Sequence, residues 1–377
     1  MKHYPSQDWA IELEEIMACE PYSLVNAEKQ RRLLPIIKTQ VAAAACNPSI
    51  ESYFRKIGFH PNAIQRLVDV PFIPVQMFKE FDLVTCEPED VFRVVQSSAT
   101  TSQVPSRVPL NKATSMRQTK GLIATLKSFL GSKRRPFLVL DTAEVNAPGT
   151  AELSARGAAI RGLSSFAKRM DYLMKREERG GLVMDEGKVD ALGRQFEDQE
   201  VYLFGFTFII WSVFVPAAQR LAKRLRFKEA ILFHSGGWKK LTGQSVTKEQ
   251  FNQEVARLFD ADKLEIIDFY GMAEQIGVIF PDCQYLNKHV PEFAEVIIRD
   301  PYSLEECRIG QTGLIEVMSA LSDSYYSQAL LTEDLGVLVG VDDCPCGRKG
   351  KYFRFVSRVE QAEIRGCGDT FAVKEGQ

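Results

Sequence analysis

The stretch Phe92–Arg107, FRVVQSSATTSQVPSR, passes within a few residues from an apolar run to a cluster of hydroxyls. Phe92–Val95 favours a strand. Ser97, Ser98, Thr100, Thr101 and Ser102 cannot continue a buried one without partners for five hydroxyls. A loop is the expected state. Hydroxyls and backbone N–H groups gathered after a strand form an anion cradle, and Arg107 adds a fixed positive charge, an arrangement suited to a polyphosphate. Ser/Thr-rich turns are also ordinary surface features, so the rest of the chain has to decide between the two.

Two further stretches repeat the device. Ala230–Phe233 (AILF) runs into His234-Ser235-Gly236-Gly237-Trp238-Lys239, and Leu264–Phe269 (LEIIDF) into Tyr270-Gly271-Met272-Ala273-Glu274-Gln275. Adjacent glycines after a strand let a flat ligand approach the backbone. Pro136–Leu140 (PFLVL) reads as a short buried strand, and a helix is expected over Ser115–Leu130. Strand, loop, helix and strand in this order predict a parallel α/β sheet with the hydroxyl loop at the carboxyl ends of its strands. Upstream, Gln7 to about Leu83 has helical spacing of apolar residues, as in Ile11–Met17 and Arg32–Ala45.

Other features exclude whole classes. A net charge of −2 speaks against a nucleic-acid binder, and the basic runs at Ser132–Arg135, Lys168–Arg179 and Lys223–Lys228 read as solvated faces. Val201–Ala218 is uncharged for eighteen residues, but Gly205, Thr207, Ser212 and Pro216 interrupt it. It is expected to be a buried strand, Tyr202–Phe206, leading into a core helix and not a membrane span. The N-terminus has an early acidic cluster and no signal-peptide core, so a cytoplasmic protein is expected. Eight cysteines spread over 377 residues suit reduced thiols or metal ligands.

In order and spacing these junctions resemble the adenylate-forming enzymes, and most closely the acyl-protein synthetase (LuxE) family. SSATTSQVPSR resembles its phosphate loop, HSGGWK its second loop, YGMAE the tyrosine–glycine–x–threonine–glutamate element and LTEDLG (Leu331–Gly336) the ribose-binding element. GRKGKYFRFVSRVEQAEIRG extends the likeness to Cys367. The resemblance implies a large α/β domain with mostly parallel sheets flanked by helices, preceded by a helical N-terminal segment and followed by a truncated C-terminal lid. The expected spans are residues 1–95, 96–356 and 357–377.

It also implies roles. Ser97, Ser98, Thr100 and Thr101 would hold the phosphates of ATP, with Arg107 adding charge. Glu274 would bind magnesium, a hard ion suited to carboxylate oxygen. Tyr270, followed by Gly271, would lie against adenine, with Ser235, Gly236 and Gly237 closing on its other side. Asp334 and Arg358 would hold the ribose, and Glu360 and Gln361 belong to the hinge. The chain departs from the family pattern at four positions. Ala99 and Ser102 stand for glycines, Ala273 for a threonine at the α-phosphate, and Glu333 for the glycine before the ribose aspartate. The lost threonine hydroxyl alone removes a hydrogen bond to a charged group, on the order of 1.5–3 kcal/mol.

Cys283-x5-His289 and Cys344-Pro345-Cys346 offer four ligands in two short-spaced pairs, a set suited to tetrahedral zinc, with Cys307 in reserve. Free cysteines in a Pro/Gly turn beside an unrelated histidine fit the same residues. Cys367 stands between glycines in IRGCGD, an accessible turn, and Arg365 favours its thiolate.

Three functions follow for comparison. The first is ATP-dependent activation of a fatty acid, or another carboxylic acid, with transfer to Cys367 and delivery to an acyl-reductase partner. The second is an acyl-CoA ligase, whose usual mobile C-terminal domain has little room in the eleven residues after Gly366. The third is a non-catalytic nucleotide- or acyl-binding protein, favoured by the four departures.

Overall fold

The computed structural model describes residues 8–97, 105–146, 155–177, 180–221, 224–237 and 246–359. The chain forms two compact units. One gathers residues 1–97, 104–128 and 270–363, so the helical N-terminal segment belongs to the same unit as the last third of the chain. The other is built mainly from 129–269.

The first unit opens with helices α1 (Asp8–Ala18), α2 (Asn26–Ala44) and α3 (Pro48–Lys56). In α2, Lys29, Leu33, Ile36, Ile37, Gln40, Val41 and Ala44 are buried, the spacing of a single helical face. Val25 gives this helix no side-chain cap, but both carboxylate oxygens of Asp342 lie 3.0 Å from the Asn26 N–H and supply one from far along the chain. Helix α3 is capped locally by Asn47, with Pro48 at its first turn. A short strand β1 (Ile73–Pro74), helix α4 (Met77–Glu80), strands β2 (Arg93–Gln96) and β3 (Arg107–Leu110), and helix α5 (Lys112–Leu130) follow.

Strands β2 and β3 pair antiparallel, Gln96 opposite Arg107, as a separate two-stranded ribbon. This corrects the expectation that the strand leading into the hydroxyl loop is part of the parallel sheet, while residues 98–104 of the loop lie outside the described residues. Val108 and Leu110 are buried and Arg107 is exposed. Pro109 is buried as well, so residues 107–110 form a second hairpin arm without alternating burial, and its proline hid the strand in the sequence.

The second unit is a parallel sheet. Strand β4 (Arg135–Val139) leads through α6 (Ala155–Leu163) to β5 (Ala167–Tyr172), a small hairpin β6 (Met174–Arg176) and β7 (Leu182–Met184), and α7 (Glu186–Gln195). Strand β8 (Glu200–Phe206) then enters α8 (Thr207–Ile209), a π turn over Ile210–Phe214 and α9 (Val215–Arg220). Strand β9 (Leu225–Ser235), α10 (Lys248–Ala256) and β10 (Phe259–Gly271) complete the unit, and the chain leaves it at Phe269. The strands lie in the order β5-β4-β8-β9-β10, all parallel. Val201–Phe206 is buried throughout, as expected for a strand covered on both faces. Among the described residues no helix is long and apolar enough to cross a membrane.

Back in the first unit come β11 (Ile279–Pro281), β12 (Lys288–His289), β13 (Ala294–Arg299), β14 (Thr312–Ser319), β15 (Ala329–Val341) and β16 (Lys351–Arg358). The last five form an antiparallel sheet in the order β12-β16-β15-β14-β13, and β1 adds parallel to the start of β15. Its core joins Leu33, Ile37 and Val41 of α2 to Val296, Ile298, Ile315 and Val317. Lys29 (1% exposed) is buried with them, its Nζ 3.5 Å from Glu295 Oε2 and donating to the Ala294 carbonyl at 3.2 Å. A buried lysine of this kind is tolerated because both partners are already in place.

Candidate functional site

Asp334 projects inward from β15, where its N–H donates to Thr332 Oγ1 at 3.2 Å. Its two oxygens are occupied from opposite directions. The Tyr270 hydroxyl donates to Oδ2 at 2.8 Å, and Arg358 Nε donates to Oδ1 at 3.2 Å from the facing position on β16. Each carboxylate oxygen retains a further lone pair. The Tyr270 ring rests among Phe355 (centroids 6.0 Å apart, 30°), Phe280 (6.1 Å) and Phe353 (6.2 Å, edge-on). Burial first, and then the Asp334 charge, holds its hydroxyl proton on well above the ordinary tyrosine value.

Glu274 sits on the one-turn helix Ala273–Gln275, which β3 packs against. It is 5% exposed, and among the described residues its carboxylate makes no hydrogen bond or ion pair. The turn is fixed by its neighbours. Gln275 Nε2 donates to the carbonyls of Val317 (3.1 Å) and Ser327 (2.8 Å), and Gly277 lies directly against the backbone of Gln118 in α5. A fixed, buried, unpaired carboxylate is costly unless a cation completes it. The residue fits the magnesium role: a hard carboxylate donor, held in place beside the β2–β3 ribbon that carries the hydroxyl loop.

At the neck of that loop the Ser97 N–H donates to the Ser106 carbonyl (3.1 Å), and Ser97 Oγ accepts from the Ser106 N–H (2.9 Å). Ser97 thus closes the ribbon. Ser106 is fully buried and its hydroxyl has no partner among the described residues. Its place in Pro105-Ser106-Arg107 was the only signal for it in the sequence. Ser98, Thr100, Thr101, Glu360, Gln361 and Cys367 lie outside the described residues.

In the parallel unit, β9 ends at Ser235, followed by Gly236 and Gly237. Sequence reasoning passed over the residue before them. His234 is buried, with Nδ1 3.0 Å from Thr207 Oγ1, and Thr207 also donates to the Ser235 carbonyl at 3.2 Å. Asp268, opposite His234 on β10, lies 3.8 Å from Nδ1 and pairs with Lys248 Nζ at 3.1 Å. A polar relay therefore lines the carboxyl ends of β8, β9 and β10. Its signal was present as the histidine before SGG and the aspartate before FYG.

The second cluster expected from spacing is assembled. The ligating atoms of Cys283, His289, Cys344 and Cys346 all lie within 4.8 Å of one another. Cys283 Sγ is 3.9 Å from Cys344 Sγ, and Cys346 Sγ is 3.2 Å from His289 Nε2. Two thiolates on a tetrahedral zinc at about 2.3 Å stand about 3.8 Å apart. Burial, with Arg348 nearby, pushes His289 down to about 3, which keeps its imidazole neutral and able to ligate. Its Nδ1 has no hydrogen-bond partner among the described residues. The donor set and its spacing fit zinc. Cys307 is buried in the core of the sheet and takes no part in the cluster.

The loop that carries Cys344 and Cys346 also holds the N-terminal helices. Beside the Asp342 cap, the Lys349 N–H donates to the Tyr22 carbonyl at 2.8 Å, and the Tyr22 ring meets His289 edge-on at 5.8 Å.

The sequence model of the acyl-protein synthetase LuxE family matches residues 10–375. Long-chain-fatty-acid–luciferin-component ligase of Aliivibrio fischeri is 29% identical over 138 residues, 36% of each chain. The ligase of the same name from Vibrio harveyi is 30% identical over 141 residues, 37% of this chain and 36% of that one. The matched stretch spans about a third of these relatives' length. Among solved structures, an open conformation of 2-hydroxyisobutyryl-CoA ligase in complex with 2-HIB-AMP and CoA superposes with a TM-score of 0.65 at 18% identity, covering 90% of this chain and 77% of that one. At that identity the likeness is one of fold. With a match that runs from residue 10 to residue 375, the chain belongs to the LuxE acyl-protein synthetase family.

Proposed function

We propose that the chain activates a long-chain fatty acid, or a related carboxylic acid, with ATP and then carries the acyl group on a cysteine. The observation that supports this best is the meeting at Asp334 of Tyr270 and Arg358, residues far apart in sequence but adjacent at the carboxylate expected to hold ribose. In the first step a carboxylate oxygen of the acid attacks the α-phosphorus of ATP and pyrophosphate departs. Glu274 would hold magnesium, which when bound would supply charge neutralisation during this step. Asp334 and Arg358 orient the sugar, Tyr270 offers a ring face to the base, and Arg107 with the hydroxyl loop binds the phosphates. In the second step the Cys367 thiolate attacks the acyl carbonyl and AMP departs, leaving a thioester for delivery to an acyl reductase.

Zinc, in this reading, is structural and is held by Cys283, His289, Cys344 and Cys346. Reduced thiols at the cluster and at Cys367 suit the cytoplasm.

One experiment tests both steps. The protein is incubated with ATP, magnesium and a panel of fatty acids, with pyrophosphate exchange and intact mass as readouts. Glu274→Gln keeps the shape and removes the ligand charge, so exchange should fall by about two orders of magnitude or more. Cys367→Ser should exchange normally and lose the hydroxylamine-labile adduct. Exchange unaltered in Glu274→Gln removes the first assignment, and wild-type labelling of Cys367→Ser removes the second. Acyl transfer to added coenzyme A in place of protein labelling would make the chain an acyl-CoA ligase.

A further inference from the structure

Glu333 precedes the ribose aspartate at the place where the family pattern has glycine, and the structure gives its side chain a partner in the N-terminal segment. Gln76 Nε2 donates to Glu333 Oε1. Along β15, burial alternates residue by residue, so Thr332 and Asp334 face inward while Glu333 faces the other way. Glu333 therefore does not share the face on which Tyr270 and Arg358 reach Asp334. The peptide that joins Glu333 to Asp334 gives it a route to that carboxylate.

The Gln76 end of the contact is held firmly. Strand β1 pairs with Leu330 and Leu331, the Val75 N–H donates to the Leu331 carbonyl at 3.0 Å, and the Tyr53 hydroxyl donates to the Phe72 carbonyl at 2.8 Å. Arg299 lies over the Phe72 ring at 4.9 Å and donates to the Val68 carbonyl at 2.9 Å. With the backbone at 68–75 fixed in this way, only the rotamers of the exposed Gln76 side chain remain to be ordered when its amide meets Glu333. On its other side the Glu333 carbonyl accepts from the Val359 N–H at 2.9 Å. From within β15, Glu333 thus reaches Gln76, two residues past β1, by its side chain and Val359, one residue past β16, by its carbonyl.

We propose that Gln76 and Glu333 form a positioning pair that fixes Asp334 for the nucleotide ribose, making the N-terminal segment a part of the nucleotide site. The proposal rests on the reading of Asp334 as the ribose carboxylate.

The test compares Glu333→Gly, Gln76→Ala, the double variant, Glu333→Gln and Asp334→Asn in pyrophosphate exchange with ATP and with 2′-deoxy-ATP. Glu333→Gly and Gln76→Ala should each raise KM for ATP about three- to ten-fold with kcat nearly unchanged, the scale of one hydrogen bond. The double variant should be no worse than either single one, because the two residues act as one contact. Glu333→Gln keeps an acceptor oxygen and should restore KM. The penalty should shrink with 2′-deoxy-ATP, which offers the carboxylate one hydroxyl fewer; a merely structural role would leave the ratio of the two nucleotides alone. The pair is overturned if Asp334→Asn raises KM while Glu333→Gly does not, or if the single variants lower kcat with both nucleotides equally. If Asp334→Asn also leaves KM unchanged, the ribose reading itself fails, and the pair with it.

Discussion

Gly277→Ala is the substitution whose cost can be worked most directly from the structure. Gly277 has φ +89°, and a Cβ there would stand 2.6 Å from both Cα and the carbonyl oxygen of Gln118. The obstacle is helix backbone and cannot rotate away. The left-handed dihedral costs an alanine about 1–2 kcal/mol, and forcing the turn and α5 apart adds about 1–3 kcal/mol of overpacking. A total of about 2–5 kcal/mol is expected. Gly310→Ala is the control, since Gly310 has φ +85° with nothing within 4 Å of a built Cβ, so it should lose only the dihedral part, about 1–2 kcal/mol. Urea unfolding of both variants measures the difference directly. Because Gly277 follows Glu274 by three residues, displacement of the turn should also weaken nucleotide-dependent exchange in Gly277→Ala and leave Gly310→Ala as wild type. Equal destabilisation by the two variants would refute the packing argument, whatever happened to activity.

Two further outcomes follow from buried groups. Burial, outweighing its Arg299 partner, raises Glu316 from 4.5 to about 7. The folded protein therefore binds this proton more tightly than the unfolded chain, and the stabilisation is full below pH 4.5 and lost as pH rises through about 7, up to about 3 kcal/mol. Stability should fall between pH 5 and 8 and the fall should be smaller in Glu316→Gln; an identical pH slope in the variant would contradict the assignment. Protein purified without chelator should carry about one zinc per chain, and Cys344→Ser should lose it and expose α1 and α2 to protease, because the same loop caps α2. Less than about half an equivalent in the native protein would count against the metal.

Strands buried on both faces were legible in the sequence because they are unbroken apolar runs: Pro136–Leu140 and Tyr202–Phe206 lie within two residues of β4 and β8. The cysteine–histidine cluster was legible from short spacing alone. The β2–β3 ribbon was not, since pairing across the hydroxyl loop depends on register, and the second arm contains a proline and buries three consecutive residues, so it shows no alternation. The antiparallel sheet was missed for another reason. Glu295 and Arg299 in β13 and Glu316 in β14 are buried beside charged partners, so these strands lack the apolar signature of a core. The resemblance singled out Tyr270, Asp334 and Arg358, but the sequence carried no information about their contacts with one another. The Gln76–Glu333 contact crosses 257 residues and leaves no local trace.

The cap that Asp342 provides to α2 has a consequence for synthesis. It spans 316 residues, and Glu295, the partner of Lys29, is likewise made late. At about 5–20 residues per second, the ribosome delivers Asp342 about 15–60 s after the helix it caps. During that interval the parallel unit at 129–269 has its whole sequence available, while α2 waits with an open apolar face and an uncompensated lysine. The yield of folded protein is then set by what shields that face on the nascent chain. Slowing translation after residue 269 should lower it, and a holding chaperone should raise it.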